Sequence, residues 1–129
     1  MKDKLLQLHK NSYSKYSNFP VSSIVVTKDG REFNGVNVED ASTRAGACAE
    51  RTALFSAIAA GVKKGEFKEV NVMTSSGEIG KPCFVCRQML VELLDKKDII
   101  RCWATTGEYK EFTVEELCPY PFDETDLNK

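Results

Sequence analysis

At 129 residues, with 18 basic and 19 acidic side chains and a net charge of −1, the chain has the size of one ordinary domain. Its charge gives no electrostatic case for a nucleic-acid or membrane surface. The 42% hydrophobic content is that of a soluble protein, yet no apolar run reaches the roughly 18 residues of a membrane span.

No repeat, linker or low-complexity stretch divides the sequence, so residues 1–129 read as one domain. Residues 3–15 place Leu5, Leu6, His9 and Tyr13 on one helical stripe, expected to pack on a sheet. Residues 21–27 and 32–38 are strand-like runs around Asp29-Gly30, which predicts a β-hairpin. Residues 40–47 are small and polar and read as a loop. A helix is expected over 48–60, with Leu54, Ala57 and Ile58 on its packed face and Gly61 as its stop. Residues 70–74 predict a strand and 75–81 a loop. A second helix follows Pro82, its stripe formed by Val85, Met89, Leu90, Leu93 and Leu94. Residues 99–105 and 109–113 predict two further strands, 114–117 a short helix, and the acidic tail from Asp123 a loosely held end. The order α-β-β-α-β-α-β-β-α predicts a three-layer α/β/α sandwich around a five-stranded mixed sheet.

Five cysteines and one histidine, His9, stand in this frame. A lone histidine on a helix far from any nucleophile signal excludes most Ser-His and Cys-His enzymes. The opening MKDKLLQLHK has no apolar core and no small-residue cleavage site, which predicts a cytoplasmic chain. There, cysteines bind metals, catalyse or lie buried more often than they pair.

Cys48-Ala49-Glu50 opens one expected helix and Pro82-Cys83-Phe84-Val85-Cys86 the next. Thiolates are the metal-binding form of cysteine, and a helix N-terminus favours them. The two-residue spacing lets Cys83 and Cys86 reach one ion. With Cys48 they supply three of zinc's four positions, one Zn²⁺ per chain. Cys102 in a strand and Cys118 near the end belong to no second pair and read as small buried residues. Three protein ligands plus water is the arrangement of a catalytic zinc rather than a structural one. Glu50, in the first turn, is placed to exchange protons with that water. Three thiolates and one Zn²⁺ leave net negative charge, which an Arg51 guanidinium beside a thiolate would offset.

These residues resemble the zinc deaminases, whose signature is HxE…PCxxC with a three-cysteine variant. The run Pro82-Cys83-Phe84-Val85-Cys86-Arg87-Gln88 and the Cys48-Ala49-Glu50-Arg51 run are similar to those of the small homotetrameric cytidine deaminases that act on free nucleosides. Phe19-Pro20-Val21, Asn37-Val38-Glu39 and Leu117-Cys118-Pro119 with Phe122 resemble further motifs of that family. The resemblance implies hydrolysis of cytidine or deoxycytidine to the uridine product and ammonia, a step of pyrimidine salvage. It implies that Asn37 and Glu39 hold the ribose 3′-hydroxyl and that Phe19 packs on the pyrimidine. By the same resemblance the Ala49 amide binds the base carbonyl, and Phe122 reaches the base of a neighbouring subunit. The chain departs from the pattern at Ser22, Ser23 and Ile24, at Asp40, and at Thr43, where the family places an aromatic residue against the sugar's 5′ side. Three other readings stay open: a deaminase of another amino-pyrimidine such as blasticidin S, a thiol redox protein using Cys83 and Cys86, and a structural-zinc module.

Overall fold

The structure, a computed structural model, describes residues 1–127. A helix, α1 (Lys2–His9), precedes the hairpin of β1 (Val21–Thr27) and β2 (Glu32–Val36). Then come α2 (Ala49–Ala59), β3 (Phe67–Thr74), α3 (Phe84–Leu93), β4 (Ile99–Trp103), β5 (Tyr109–Thr113) and α4 (Val114–Leu117). A 3₁₀ turn over Glu124–Leu127 closes the described chain, giving order to the tail from Asp123; the tail's last two residues lie outside the described ones.

The five strands form one mixed sheet in the order β2-β1-β3-β4-β5. β1 is antiparallel to both β2 and β3, so those two strands run the same way; β3 and β4 are parallel neighbours. The chain therefore leaves β2 and β3 at the same end of the sheet. Each strand is followed by a loop and a helix, and the N-termini of α2 and α3 meet at that end.

Side chains alternate across a strand, so adjacent residues face opposite layers. Val25, Val70, Val72 and Ile100 are buried with Ala53, Leu54 and Ala57 of α2 and Leu90 and Leu93 of α3. Ile24 and Met73 point the other way and are buried against Leu5 of α1. Beyond α1, that second face is polar. Fully buried Asn71 accepts from Arg101 Nη1 and Trp103 Nε1, each at 3.0 Å, and donates to the Ile24 carbonyl at 3.3 Å. Arg101 in turn pairs with Glu69 and Glu111. The α/β/α sandwich expected from the sequence is the observed one.

Several boundaries differ from the sequence expectation. α1 stops at His9, because the chain must turn for Tyr13 to bridge Val38. β2 ends at Val36 because Val38 pairs instead with Tyr13 and Ala47. β3 begins at Phe67, since seven-residue β1 offers partners down to Thr27. β4 ends at Trp103, where Ala104 turns back to bond Glu108. Ile58 and Val85 are exposed; the packed faces run through Ala53, Leu54 and Ala57 in α2 and through Cys86, Leu90 and Leu93 in α3. Cys118 is half-buried rather than buried.

One glycine governs how closely α2 lies on the sheet. A Cβ on Gly35 of β2 would overlap the Ala49 carbonyl oxygen and the Ala53 nitrogen of α2. Beside it, Thr52 Oγ1 donates to the Val36 carbonyl at 2.8 Å and to the Ala49 carbonyl at 2.9 Å. Helix backbone thus rests directly on strand backbone. Gly35→Ala is expected to cost at least about 1–3 kcal/mol, as overpacking does. Denaturant unfolding should show a lower midpoint with an unchanged slope.

Candidate active site

Cys48 and Cys83 occupy the same position in their helices. Each is an N-cap in extended backbone, with φ −73° and ψ 159° for Cys48 and φ −68° and ψ 165° for Cys83. Neither side chain makes a capping hydrogen bond to its own helix, which leaves the first-turn amides free. Those amides have no intrahelical partner and present positive potential to the site. Cys86 lies in the first turn of α3 and is fully buried.

The three sulfurs lie within 4.8 Å of one another, and Cys48 and Cys83 are 3.7 Å apart. A tetrahedral zinc with ligands at about 2.3 Å separates its sulfurs by about 3.8 Å. The cluster therefore fits one zinc ion per chain. Among the described residues it is the only group of three metal-capable side chains so placed. Cys102 is fully buried on β4, and burial pushes its thiol up to about 12. A closed four-sulfur site is not built among the described residues.

Within the cluster, Cys86 donates to Cys48 and holds it as the thiolate, down to about 5; the Arg51 guanidinium adds to that effect. The same bond, with burial, lifts the Cys86 thiol far above its usual range. Arg51 Nη2 lies 3.7 Å from Cys48 Sγ, while its Nε is buried without a partner among the described residues. Glu50 is only 4% exposed. Burial raises its carboxyl to about 7, and the neighbouring Cys48 charge adds to the rise. A carboxyl with that affinity can both take and release a proton near neutral pH.

A cleft of about 480 Å³ opens beside Cys48, lined among others by Tyr16, Asn37, Glu39, Thr43 and Arg51. Asn37 is engaged at both ends of its carboxamide. Its Oδ1 accepts from Ser12 Oγ at 2.5 Å and from the Val21 amide at 2.9 Å, and its Nδ2 donates to the Phe19 carbonyl at 2.9 Å. Glu39 Oε1 accepts from the Tyr16 and Ser17 amides at 3.1 and 3.0 Å, and Oε2 accepts from Ser17 Oγ. These bonds hold Glu39 below the usual carboxylate range, Ser17 contributing most. An amide nitrogen carries two donors and a carboxylate roughly four acceptor sites. Asn37 therefore keeps one N–H, and Glu39 one lone pair, for a ligand.

Ala49 is fully buried, with its amide in the first turn of α2. The rings of Phe19 and Phe122 are 40% and 58% exposed, and neither lines this cleft. Sequence reasoning singled out Asp40 and Thr43 but missed Tyr16, Ser17 and the contacts that shape the rim. Ser17 and Tyr16 bind Glu39. Asp40 takes the amides of Ser42, Ala45 and Gly46 at 2.9–3.0 Å. Thr43, at the apex of that loop, sits in left-handed backbone with φ +62°. An aspartate followed by a short polar run is a turn signal, and it marked this loop without showing that the loop borders a cleft.

Comparison with known proteins agrees with this geometry. Residues 1–102 match the family described as the cytidine and deoxycytidylate deaminase zinc-binding region. The chain is 34% identical to the cytidine deaminase of Halalkalibacterium halodurans over 95% of its own length and 92% of the relative's. It is 33% identical to that of Sporosarcina psychrophila, covering 92% and 86% of the two chains. Among solved structures it resembles the cytidine deaminase of Burkholderia pseudomallei, at 38% identity and a TM-score of 0.88 over 93% of this chain and 94% of that one. The Mycobacterium leprae cytidine deaminase gives 32% identity and a TM-score of 0.78, covering 93% and 95%.

Metal analysis of the purified chain should find one zinc, and Cys83→Ser should lose it. Metal binding needs deprotonated thiols, so zinc retention should weaken as pH falls. Chelation should lower the unfolding temperature, because the ion binds only the folded site.

Proposed function

The chain belongs to the cytidine and deoxycytidylate deaminase family, and from that premise we propose that Glu50 is the proton carrier in its zinc-dependent hydrolysis of cytidine or deoxycytidine. The observation that carries this role is the burial of Glu50 beside the sulfur cluster, which leaves its carboxyl at about 7.

Zinc held by Cys48, Cys83 and Cys86 supplies Lewis-acid activation of water. Glu50 takes a proton from the attacking water and delivers it to ring N3 as C4 is attacked. It then takes the proton of the new C4 hydroxyl and passes it to the exocyclic amine, which leaves as ammonia while the base becomes the uracil of the product. Water enters and ammonia departs, so neither oxidant nor reductant is needed. Arg51 tempers the charge of three thiolates by its contact with Cys48. The Ala49 amide, at a helix N-terminus, suits the base carbonyl. Asn37 and Glu39 bracket the ribose 3′-hydroxyl through the one donor and one acceptor their internal bonds leave over. Phe19, two residues before β1, is the aromatic we assign to the face of the pyrimidine.

The assembly we propose is a homotetramer with active sites at subunit interfaces. Phe55 and Ile58 on α2 and Phe84 and Val85 on α3 are 42–72% exposed, an apolar surface that self-association would cover. Phe122, exposed near the C-terminal end, is the residue each subunit contributes to its neighbour's base. A single domain of this kind suits a cytoplasmic enzyme of pyrimidine salvage. Among the described residues no helix is long and apolar enough to cross a membrane.

The decisive experiment follows ultraviolet absorbance of zinc-replete protein with cytidine, deoxycytidine, cytosine, their monophosphates and blasticidin S. Turnover of the two free nucleosides is expected; turnover of blasticidin S alone would overturn the substrate assignment. Glu50→Gln should keep zinc while kcat falls by about 10²–10⁴-fold, the usual worth of a positioned proton carrier. Glu39→Gln should raise KM for both nucleosides about ten- to a hundredfold, by about 1.5–3 kcal/mol for a charged hydrogen bond lost.

A further inference from the structure

Directly after Cys86 come two side chains that the proposed chemistry leaves unused. Arg87 Nε donates to the Pro82 carbonyl at 2.7 Å, and its Nη1 donates to the Leu117 carbonyl, also at 2.7 Å. Its guanidinium carbon lies 4.4 Å from the centre of the Phe84 ring. Pro82 immediately precedes Cys83, so one planar fork holds the turn that carries a metal ligand and the end of α4 together. Leu117 closes that short helix, where carbonyls lack intrahelical partners and a cation is favoured. Gln88 makes the next tie: its Nε2 donates to the Phe122 carbonyl at 2.7 Å.

The stretch between these ties is Cys118-Pro119-Tyr120-Pro121. Two prolines within it restrict φ and remove two amide donors. Its aromatic rings turn outward, with Tyr120 96% and Phe122 58% exposed. A mobile tail has no need of two side-chain bonds to its backbone, and a core segment would bury its rings. Fixed backbone with free rings is the form of a preorganised contact.

We propose that Arg87 and Gln88 are positioning residues that fasten the 117–122 segment to the metal-binding helix, so that Phe122 is presented at a set place relative to the Cys83–Cys86 turn. The inference rests on the reading of Phe122 as a contact to a neighbouring subunit's substrate. Each subunit would then build its metal turn and the aromatic it lends as one unit. Lysine cannot replace Arg87, because a point ammonium does not span two carbonyls as a planar fork does. Glutamate is nearly isosteric with Gln88 yet presents an acceptor to the Phe122 carbonyl.

The test is a double-mutant cycle on the zinc-loaded enzyme with cytidine, using Gln88→Glu, Phe122→Ala and the pair, beside amide exchange at Cys118 and Asp123, whose N–H groups flank residues 119–122 and donate to the Val114 carbonyl and the Asp126 carboxylate. Gln88→Glu should raise KM about three- to tenfold, as one lost hydrogen bond would, with kcat changed less than about twofold. In the Phe122→Ala background the same change should add almost nothing, since the two act through one contact. Amide exchange at these two positions should quicken about tenfold in Gln88→Glu, with zinc content and unfolding temperature unchanged. Arg87→Lys should quicken exchange too and also speed zinc loss to a chelator; it serves as the second variant if Gln88→Glu unfolds early. Additive KM effects, or exchange rates equal to those of the parent, would overturn the inference. If Phe122→Ala leaves KM unmoved while cytidine is turned over, the shared-contact idea falls and the deaminase reading stands. If the parent chain does not turn over cytidine, the deaminase reading itself fails, and the exchange rates still decide whether the segment is fastened.

Discussion

Everything at the site depends on holding three sulfurs of like charge within 4.8 Å of each other. Left alone they repel, and a proton on one of them would relieve the repulsion only by removing a metal-binding thiolate. The fold answers this in another way, by aiming two positive helix ends at the cluster. That is possible because β2 and β3 run in the same direction and each is followed by a helix. Gly35 sets the depth of the first helix, since any larger residue there would lift α2 off the strand and draw Cys48 from Cys83. Arg87 sets the approach to the second by binding the carbonyl just before Cys83. Arg51, Gly35 and Arg87, two residue types at three separate places in the fold, thus serve one electrostatic demand.

Two buried polar groups show how differently the same burial is used. Asn71 is fully enclosed, and its carboxamide binds two donors and the Ile24 carbonyl; Arg101, paired with Glu69 and Glu111, completes the cluster. Such a satisfied network adds rigidity to the far face of the sheet. Glu50 is nearly as enclosed, yet burial is the chief influence on its carboxyl and favours the proton. A carboxyl left in that condition sacrifices stability for proton affinity near neutrality. The first arrangement keeps the sheet in register; the second suits a group that must gain and lose a proton at each turnover.

Much of this was legible in the sequence, for identifiable reasons. β1 and β5 were bounded by turn residues and a strong β-branched or aromatic pattern, so their ends were readable. The sulfur cluster was readable because CxxC spacing and a third helix-opening cysteine leave few geometries. Where tertiary partners decided, the reading slipped. β2 stops at Val36 only because Tyr13, a residue the helical stripe had claimed, takes the place beside Val38. Ile58 and Val85 fit an apolar stripe but lie on surfaces that this single chain does not cover. The roles of Gly35, Ser17 and Gln88 had no local signal, because each acts through a carbonyl, amide or carboxylate distant in sequence.

Asn37 and Glu39 show how a short motif can organise one wall of a cleft. Between them they bind Ser12, Tyr16, Ser17, Phe19 and Val21, the entire approach to β1. Their internal bonds consume all but one donor and one acceptor. A hydroxyl needs one of each, and the two residues stand two apart in a strand-like stretch, on the same side of the chain. The groups that remain for a ligand are oriented by the bonds already made, so ligand binding need not order them again. Substituting either residue would therefore disturb the fold of the rim and, on the proposed reading, the recognition of the sugar together. The residues that could recognise a sugar are the same ones that keep residues 12–21 in place. That coincidence ties sequence spacing to recognition more tightly than either role would alone.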